Sequence, residues 1–272
     1  MNEAMKKQAD RSVTPPFGYG AVLPLQKSHR VLLTAPGTTP EFCRAINALA
    51  LSISEFGAAA RDYPIVFASA DAGNTHAPVV VLGLADAQNL FVDADGNWDA
   101  ASYLPAYVRR YPFCIAEFRA EGGARGEKLV CIDSSRLDRR GASLFEANGE
   151  PTPQWQAAQR LLQEYESDLA ATARMCARFA ELALLSPFTF EVAQAETPGL
   201  KLQGMHRIDE QRLKALRPEQ LKALVAEGYM GRIYAHIHSL ENFGRLYRRA
   251  LARARAPAKT KPKKKKAASK RS

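Results

Sequence analysis

The sequence has no apolar run long enough to cross a bilayer. Pro78-Val-Val-Val-Leu-Gly-Leu-Ala85 falls well short of the roughly 18 residues a spanning helix needs. Met1-Asn-Glu-Ala-Met-Lys-Lys-Gln-Ala-Asp-Arg11 places no apolar segment after its lysines, so it does not read as a secretory signal. The expected location is cytoplasmic, with export by a signal-independent route as the alternative. Cysteine is sparse. Cys43, Cys114, Cys131 and Cys176 include no Cys-x-x-Cys, and no histidine spacing completes a zinc pattern, so no metal site is expected. Also missing are a Gly-x-Ser-x-Gly elbow, a Walker loop, a Gly-x-Gly-x-x-Gly and a His-Glu-x-x-His. Gly122-Gly123-x-x-Gly126 falls in a hairpin loop instead of between a strand and a helix, so it is no phosphate cradle. These absences exclude the familiar nucleotide-binding, serine-hydrolase and zinc-peptidase signatures, and no cofactor is expected.

Acidic residues are missing from one end. From Ala252 onward the charged residues are Arg253, Arg255, Lys259, Lys261, Lys263, Lys264, Lys265, Lys266, Lys270 and Arg271. These ten equal the whole formal charge of +10, so residues 1–251 are formally neutral. The end also lacks aromatic and large aliphatic residues, and its like charges repel. A disordered polybasic tail over 253–272 is expected. Such a tail gives weak, salt-sensitive contact with nucleic acid or an anionic surface; a solvated appendage is the plainer reading.

What is present is an ordinary globular composition, 46% hydrophobic and 24% charged over 272 residues, enough to bury a core. Residues 1–18 read as a flexible, Pro-rich arm. Ala21–Leu25 and Arg30–Ala35 read as strands, the first at an edge because of Pro24. Thr39 with Pro40 suits a helix start, and Phe42, Ile46, Leu49, Ile53 and Phe56 then share one helical face. Tyr63–Ala68, Pro78–Leu84 and Asn89–Asp93 read as strands, spaced closely enough to be antiparallel. Asp93-Ala-Asp-Gly-Asn97 is a hairpin turn. It resembles a calcium loop only in its alternating oxygens, since Gly96 is misplaced and Leu104 stands where the bidentate Glu belongs. Two more strands, Phe113–Phe118 and Lys128–Asp133, flank Glu121-Gly-Gly-Ala-Arg-Gly-Glu127. In a symmetric hairpin Cys114 and Cys131 would face each other. A disulfide fits that placement; reduced, buried thiols fit a cytoplasmic chain.

At Thr152-Pro153 the pattern turns helical. Trp155, Leu162, Tyr165, Leu169, Cys176 and Phe179 recur at helical spacing up to Ser186-Pro187. Phe188–Val192 and Gly199–Asp209 read as extended. Pro218 opens a further helix that Gly228 stops. A last helix is expected from Tyr229 to Ala252, with arginines at its C-terminal end.

Tyr103-Leu-Pro-Ala-Tyr-Val-Arg-Arg-Tyr-Pro-Phe113, Leu129-Val-Cys-Ile-Asp133, Leu144-Phe-Glu-Ala-Asn-Gly-Glu150 and Tyr234-Ala-His-Ile-His-Ser-Leu240, in that order, resemble the SapC family over roughly Pro24 to Leu246. The resemblance implies a bacterial protein of a family named for its link to surface-layer proteins. Its members also occur beside outer-membrane receptors and peptide- or tryptophan-modifying oxygenases and halogenases. It implies an accessory role and carries over no catalytic residues. The lysine tail is not part of that pattern.

Three groups are candidates for chemistry. Arg109 and Arg110, beside Tyr111 and near Tyr103 and Tyr107, can form a rim that binds an anion or a peptide, because Arg offers forked donors and Tyr a stacking face. The alternative is surface packing through their stems. His238 shares a helical side with Glu241 and Asn242, so the pair can hold a metal or move a proton; a hydrogen-bonded structural histidine is the alternative. Asp133 ends a strand before Ser134-Ser135, where it more often caps a turn than catalyses.

The expected fold is α+β, an antiparallel β-rich part over 19–150 packed against a mainly helical part over 151–252. The two parts form a single unit over 19–252, with the long helix from Pro153 covering a sheet face. The expected function is a non-catalytic binding or accessory protein with a peptide or protein partner. The alternatives are a peptide- or glycan-acting enzyme with an acidic/His site, and a polyanion binder working through its tail. A homo-oligomer is compatible with the pattern and not required by it.

Overall fold

Ile65, Val66 and Phe67 are all at most 1% exposed, as are Val80 and Leu82. Strands apolar on both faces belong at the middle of a covered sheet, and that is where these residues sit. The computed structural model describes residues 14–35, 37–69, 75–118, 127–192 and 200–255. Its strands are β1 (Val22–Pro24), β2 (Arg30–Val31), β3 (Ala48–Ala50), β4 (Ile65–Ser69), β5 (His76–Val81), β6 (Phe113–Phe118), β7 (Glu127–Asp133), β8 (Ala142–Ser143), β9 (Leu185–Val192) and β10 (Leu200–Ile208). Its helices are α1 (Phe56–Ala59), α2 (Ala106–Arg109), α3 (Pro153–Glu181), α4 (Glu210–Lys214), α5 (Pro218–Ala226), α6 (Tyr229–Ser239) and α7 (Asn242–Arg255).

The fold is α+β, and every described ladder is antiparallel. A five-stranded sheet runs β3-β5-β4-β10-β9, a three-stranded sheet runs β1-β7-β6, and β2 pairs with β8. The β1 strand, with Pro24, lies at an edge as expected. The larger sheet is not confined to the first half of the chain. The β9–β10 hairpin returns from the helical half, and Met205 and His206 pair with Ala68 and Phe67. Cys114 and Cys131 are directly opposite on β6 and β7, and both are free thiols. The Gly-rich connection between those strands lies outside the described residues.

Thr152 and Pro153 start α3 as their chemistry suggests: the Thr152 hydroxyl accepts from Trp155 N at 3.2 Å, and Pro153 takes the first helical position. The helix serves both sheets. Trp155 and Leu162 pack with Phe113, Ile132, Val31 and Leu144 over the smaller sheet. Further along, Tyr165, Met175, Cys176 and Phe179 join the main core with Ile65, Phe67 and Val80.

Two helical expectations are corrected. Thr39 to Phe56 is not one helix. A 3-10 turn (Glu41–Ala45) gives way to β3, followed by a second 3-10 turn (Ile53–Glu55) and α1. Sheet bonding wins over helical periodicity because Ala48–Ala50 can ladder with Val79–Val81 while Leu49 and Leu51 stay buried. Thr39 does not cap; its hydroxyl donates to Gly96 O at 2.8 Å. The last helix is likewise broken at Leu240–Glu241, giving α6 and α7. Ser239 Oγ accepts from Ile65 N at 2.9 Å, and Asn242 Nδ2 donates to Ala60 O and Tyr63 O. The break lets both side chains reach backbone groups around the entry to β4.

Smaller differences follow the same logic. Arg30–Ala35 pairs only through Arg30 and Val31. Asn89–Asp93 is not a strand; it leads to a single bridge, Val92 to Trp98, closing the expected turn. There the Asp93 carboxylate accepts from Asp95 N and Asn97 N, and Gly96 supplies φ +91. Of the expected arm, Pro16 and Phe17 are tied down, since Tyr19 N donates to Pro16 O and Tyr107 Oη to Phe17 O. The expected tail boundary at 253 falls inside α7, where Arg253 donates to Asn89 O at 2.6 Å. Among the described residues no helix is long and apolar enough to cross a membrane.

His236 joins three elements. Its Nδ1 donates to Ile65 O at 2.9 Å and its Nε2 accepts from Ile208 N at 3.1 Å. That pairing needs the neutral ring, because a proton on Nε2 would face another donor. Burial holds its pKa at about 4 against an ordinary 6.5. Unfolded chains take up the proton first as pH falls, so stability is lost between those two values, by on the order of 3 kcal/mol. Urea denaturation of the wild type between about pH 7 and pH 4 should show this loss, and His236→Gln should flatten it. Identical slopes in the two proteins would contradict the assignment.

Candidate functional site

The Tyr103–Phe113 stretch folds around one buried carboxylate. Glu55 Oε1 accepts from Tyr103 Oη at 3.0 Å and Ala106 N at 2.6 Å. Its Oε2 accepts from Ser52 N at 3.0 Å. Ala106 N is the first orphan donor of α2, which explains why so short a helix starts there. Tyr103 is thereby fixed, and burial, with Glu55 beside it, pushes its phenol up to about 12. Arg109 Nη2 donates to Tyr103 Oη at 3.0 Å, and its guanidinium lies over that ring at 5.7 Å.

Arg110 takes the opposite direction and is only 6% exposed. Its guanidinium carbon lies 4.4 Å from the Tyr107 ring centre, 4.7 Å from Tyr165 and 5.7 Å from Tyr19. Three electron-rich faces thus surround one cation. Burial pulls the guanidinium pKa down, but the tyrosines outweigh it and raise it. Burial also raises the phenols of Tyr19, Tyr107 and Tyr165, so they stay neutral. No described carboxylate forms an ion pair with Arg110, and its Nε has no hydrogen-bond partner.

Arg109, Arg110 and Tyr111 line an open cleft of about 360 Å³ between the smaller sheet and α3. Leu33, Val108, Phe113 and Leu161 supply apolar wall, and Thr34 and Gln154 are among its polar lining. A second hollow of about 600 Å³ shares Thr34, Thr38 and Tyr111 with it and adds Arg44, Arg136 and Glu41. Tyr111 Oη lies 3.3 Å from Asp133 Oδ2 at this junction. Asp133 caps the following turn as expected. It accepts from Gly20 N at 3.0 Å and from Ser135 N at 3.0 Å. Burial opposes its ionisation, but these bonds outweigh it and lower its pKa.

Of the residues singled out from sequence, Arg109, Arg110 and Tyr111 therefore line the cleft, while Tyr103 and Tyr107 position the two arginines. His238 and Glu241 are exposed, and neither lines the cleft. His238 stacks on Tyr234, and no described side-chain hydrogen bond or ion pair joins it to Glu241. The structural histidine of that segment is His236. Lys259, Lys261, Lys263, Lys264, Lys265, Lys266, Lys270 and Arg271 lie outside the described residues. No described group of three His, Cys, Asp or Glu could hold a metal. Tyr19, Tyr165, Glu55 and Thr34 were not legible as site residues. They come from four separate segments, and only packing unites them.

The cysteines provide a check on this geometry. Burial pushes Cys43, Cys114 and Cys176 up to about 12 and Cys131 up to about 11. Native protein at about pH 8 should thus resist a thiol-disulfide reagent and react fully once denatured. Fast labelling of Cys114 or Cys131 in the native state would show that β6–β7 opens.

Residues 25–246 match the family model described as SapC. No curated protein and no solved structure matches the chain.

Proposed function

Because this chain belongs to the SapC family, we propose that it is a non-catalytic accessory protein that binds a segment of a peptide or protein partner. Its setting is a bacterial surface-layer, outer-membrane uptake or peptide-modification system. The observation that carries this reading is the open cleft itself, apolar in its walls and edged by Arg109, Arg110 and Tyr111. Apolar walls with a few polar groups at their edge suit recognition of a short segment. The groups around Arg110 are phenols and the Cys114 thiol, all kept protonated by burial, which suits holding a ligand. Ala157 lines the cleft from the exposed side of α3, so Ala157→Trp should obstruct it without disturbing the core. Tagged wild-type protein should recover a surface, receptor or peptide-modifying component from the native cell, read by mass spectrometry. Ala157→Trp should recover about tenfold less at an unchanged melting temperature. Equal recovery by both proteins, or no such component, would refute the cleft as the binding site.

The run of ten basic residues without an acid after Ala252 favours a second, additive reading, a polyanion tether. Deleting residues 256–272 should sharply reduce binding to DNA and anionic vesicles at low salt. Unchanged binding would remove the tether.

A further inference from the structure

We propose that the cleft receives a carboxylate, from a peptide C-terminus or an acidic side chain, with Arg110 as its anchor. This rests on the reading that the cleft takes a peptide segment, and adds the charge and the anchor. A guanidinium as buried as Arg110 ordinarily has a counter-ion, because desolvating a lone charge is costly. Here three neutral phenols provide π faces and one of them, Tyr107, also a hydrogen bond, while Nε is left without a partner. Thr34 Oγ1, which lines both hollows, is the second buried polar atom there without a partner. Two residues that line one cleft thus each carry an unmet polar group, which points to a ligand bearing acceptors.

Charge around the cleft agrees. Among the described residues, Arg44, Arg109, Arg110 and Arg136 line the two hollows against a single acid, Glu41. The fork of an arginine matches a carboxylate in geometry. Leu33, Val108, Phe113 and Leu161 would surround the adjoining apolar side chain. A phosphate dianion would meet the same apolar walls with one buried cation to balance it, so the carboxylate is the better fit.

The test uses full-length protein labelled with 15N-arginine, following the Nε–Hε signals by NMR. Assignment of the Arg110 signal comes from its loss in Arg110→Lys. Three probes are titrated: N-acetyl-phenylalanine, its C-terminal amide, and N-acetyl-aspartyl-phenylalaninamide. The Arg110 signal should shift saturably with at least one carboxylate probe, and the amide should bind about tenfold more weakly or worse. Which of the two acids binds tells a chain terminus from an acidic side chain. Thr34→Val should weaken the acid and leave the amide unchanged; it also serves if Arg110→Lys does not fold. Equal affinity for acid and amide would overturn the carboxylate while leaving a segment-binding cleft in place. Saturation without an Arg110 shift, or no binding by any probe at millimolar concentration, would overturn it as well. Failure of the cleft reading is read separately, in the Ala157→Trp capture.

Discussion

Ile65, at the entry to β4, bonds both of its backbone groups to side chains of α6. Its N–H goes to Ser239 and its carbonyl to His236. Ser239 Oγ also donates to the His236 backbone carbonyl at 2.6 Å, which leaves its lone pair turned toward Ile65 N. Because these groups are buried, each would be costly to leave unmet. The pair therefore fixes α6 against the central strand, and just past the break Asn242 bonds to Ala60 O and Tyr63 O. Through Ile208 N the pair also fixes the end of β10. The halves of the chain share one core for this reason, with Leu224, Ile233, Phe243 and Leu246 packed among the residues of the first sheet.

The cleft depends on that shared core at one remove. Helix α3 is seated on both sheets, and its Tyr165 reaches Arg110 from one side while Tyr107 and Tyr19 reach it from others. Glu55 performs the complementary task, starting α2 and setting Tyr103 against Arg109. Adjacent arginines thus acquire different environments: Arg109 is exposed and hydrogen-bonded, Arg110 enclosed. A tetrad of tyrosines and arginines adjacent in sequence divides into a surface pair and a buried box.

Much of the secondary structure was legible because local chemistry decided it. Thr152-Pro153 opens α3, Asp93–Asn97 turns, Asp209 caps α4 through Gln211 N, and Gly228 with φ +73 ends α5. The departures from local pattern have a common cause. Residues 39–56 carried a helical period, yet Ala48–Ala50 sit beside an open strand edge in space. Leu240–Glu241 has no helix breaker, and the interruption comes from Ser239 and Asn242 bonding to a distant segment. In both places a long-range bond outweighed a local preference.

By itself the sequence determined the α+β class, the neutral globule with its charge gathered at one end, the start of the long helix and the pairing of Cys114 with Cys131. Each of these follows from composition, periodicity or turn chemistry, which act over a few residues. The tertiary structure alone decided that the larger sheet borrows a hairpin from the helical half. It also decided that His236 and not His238 is the fixed ring, and that Arg110 is enclosed by three tyrosines with no counter-ion among the described residues. Those outcomes depend on which side chains meet across separations such as the 171 residues between Ile65 and His236, and no local pattern encodes a burial that distant segments create together.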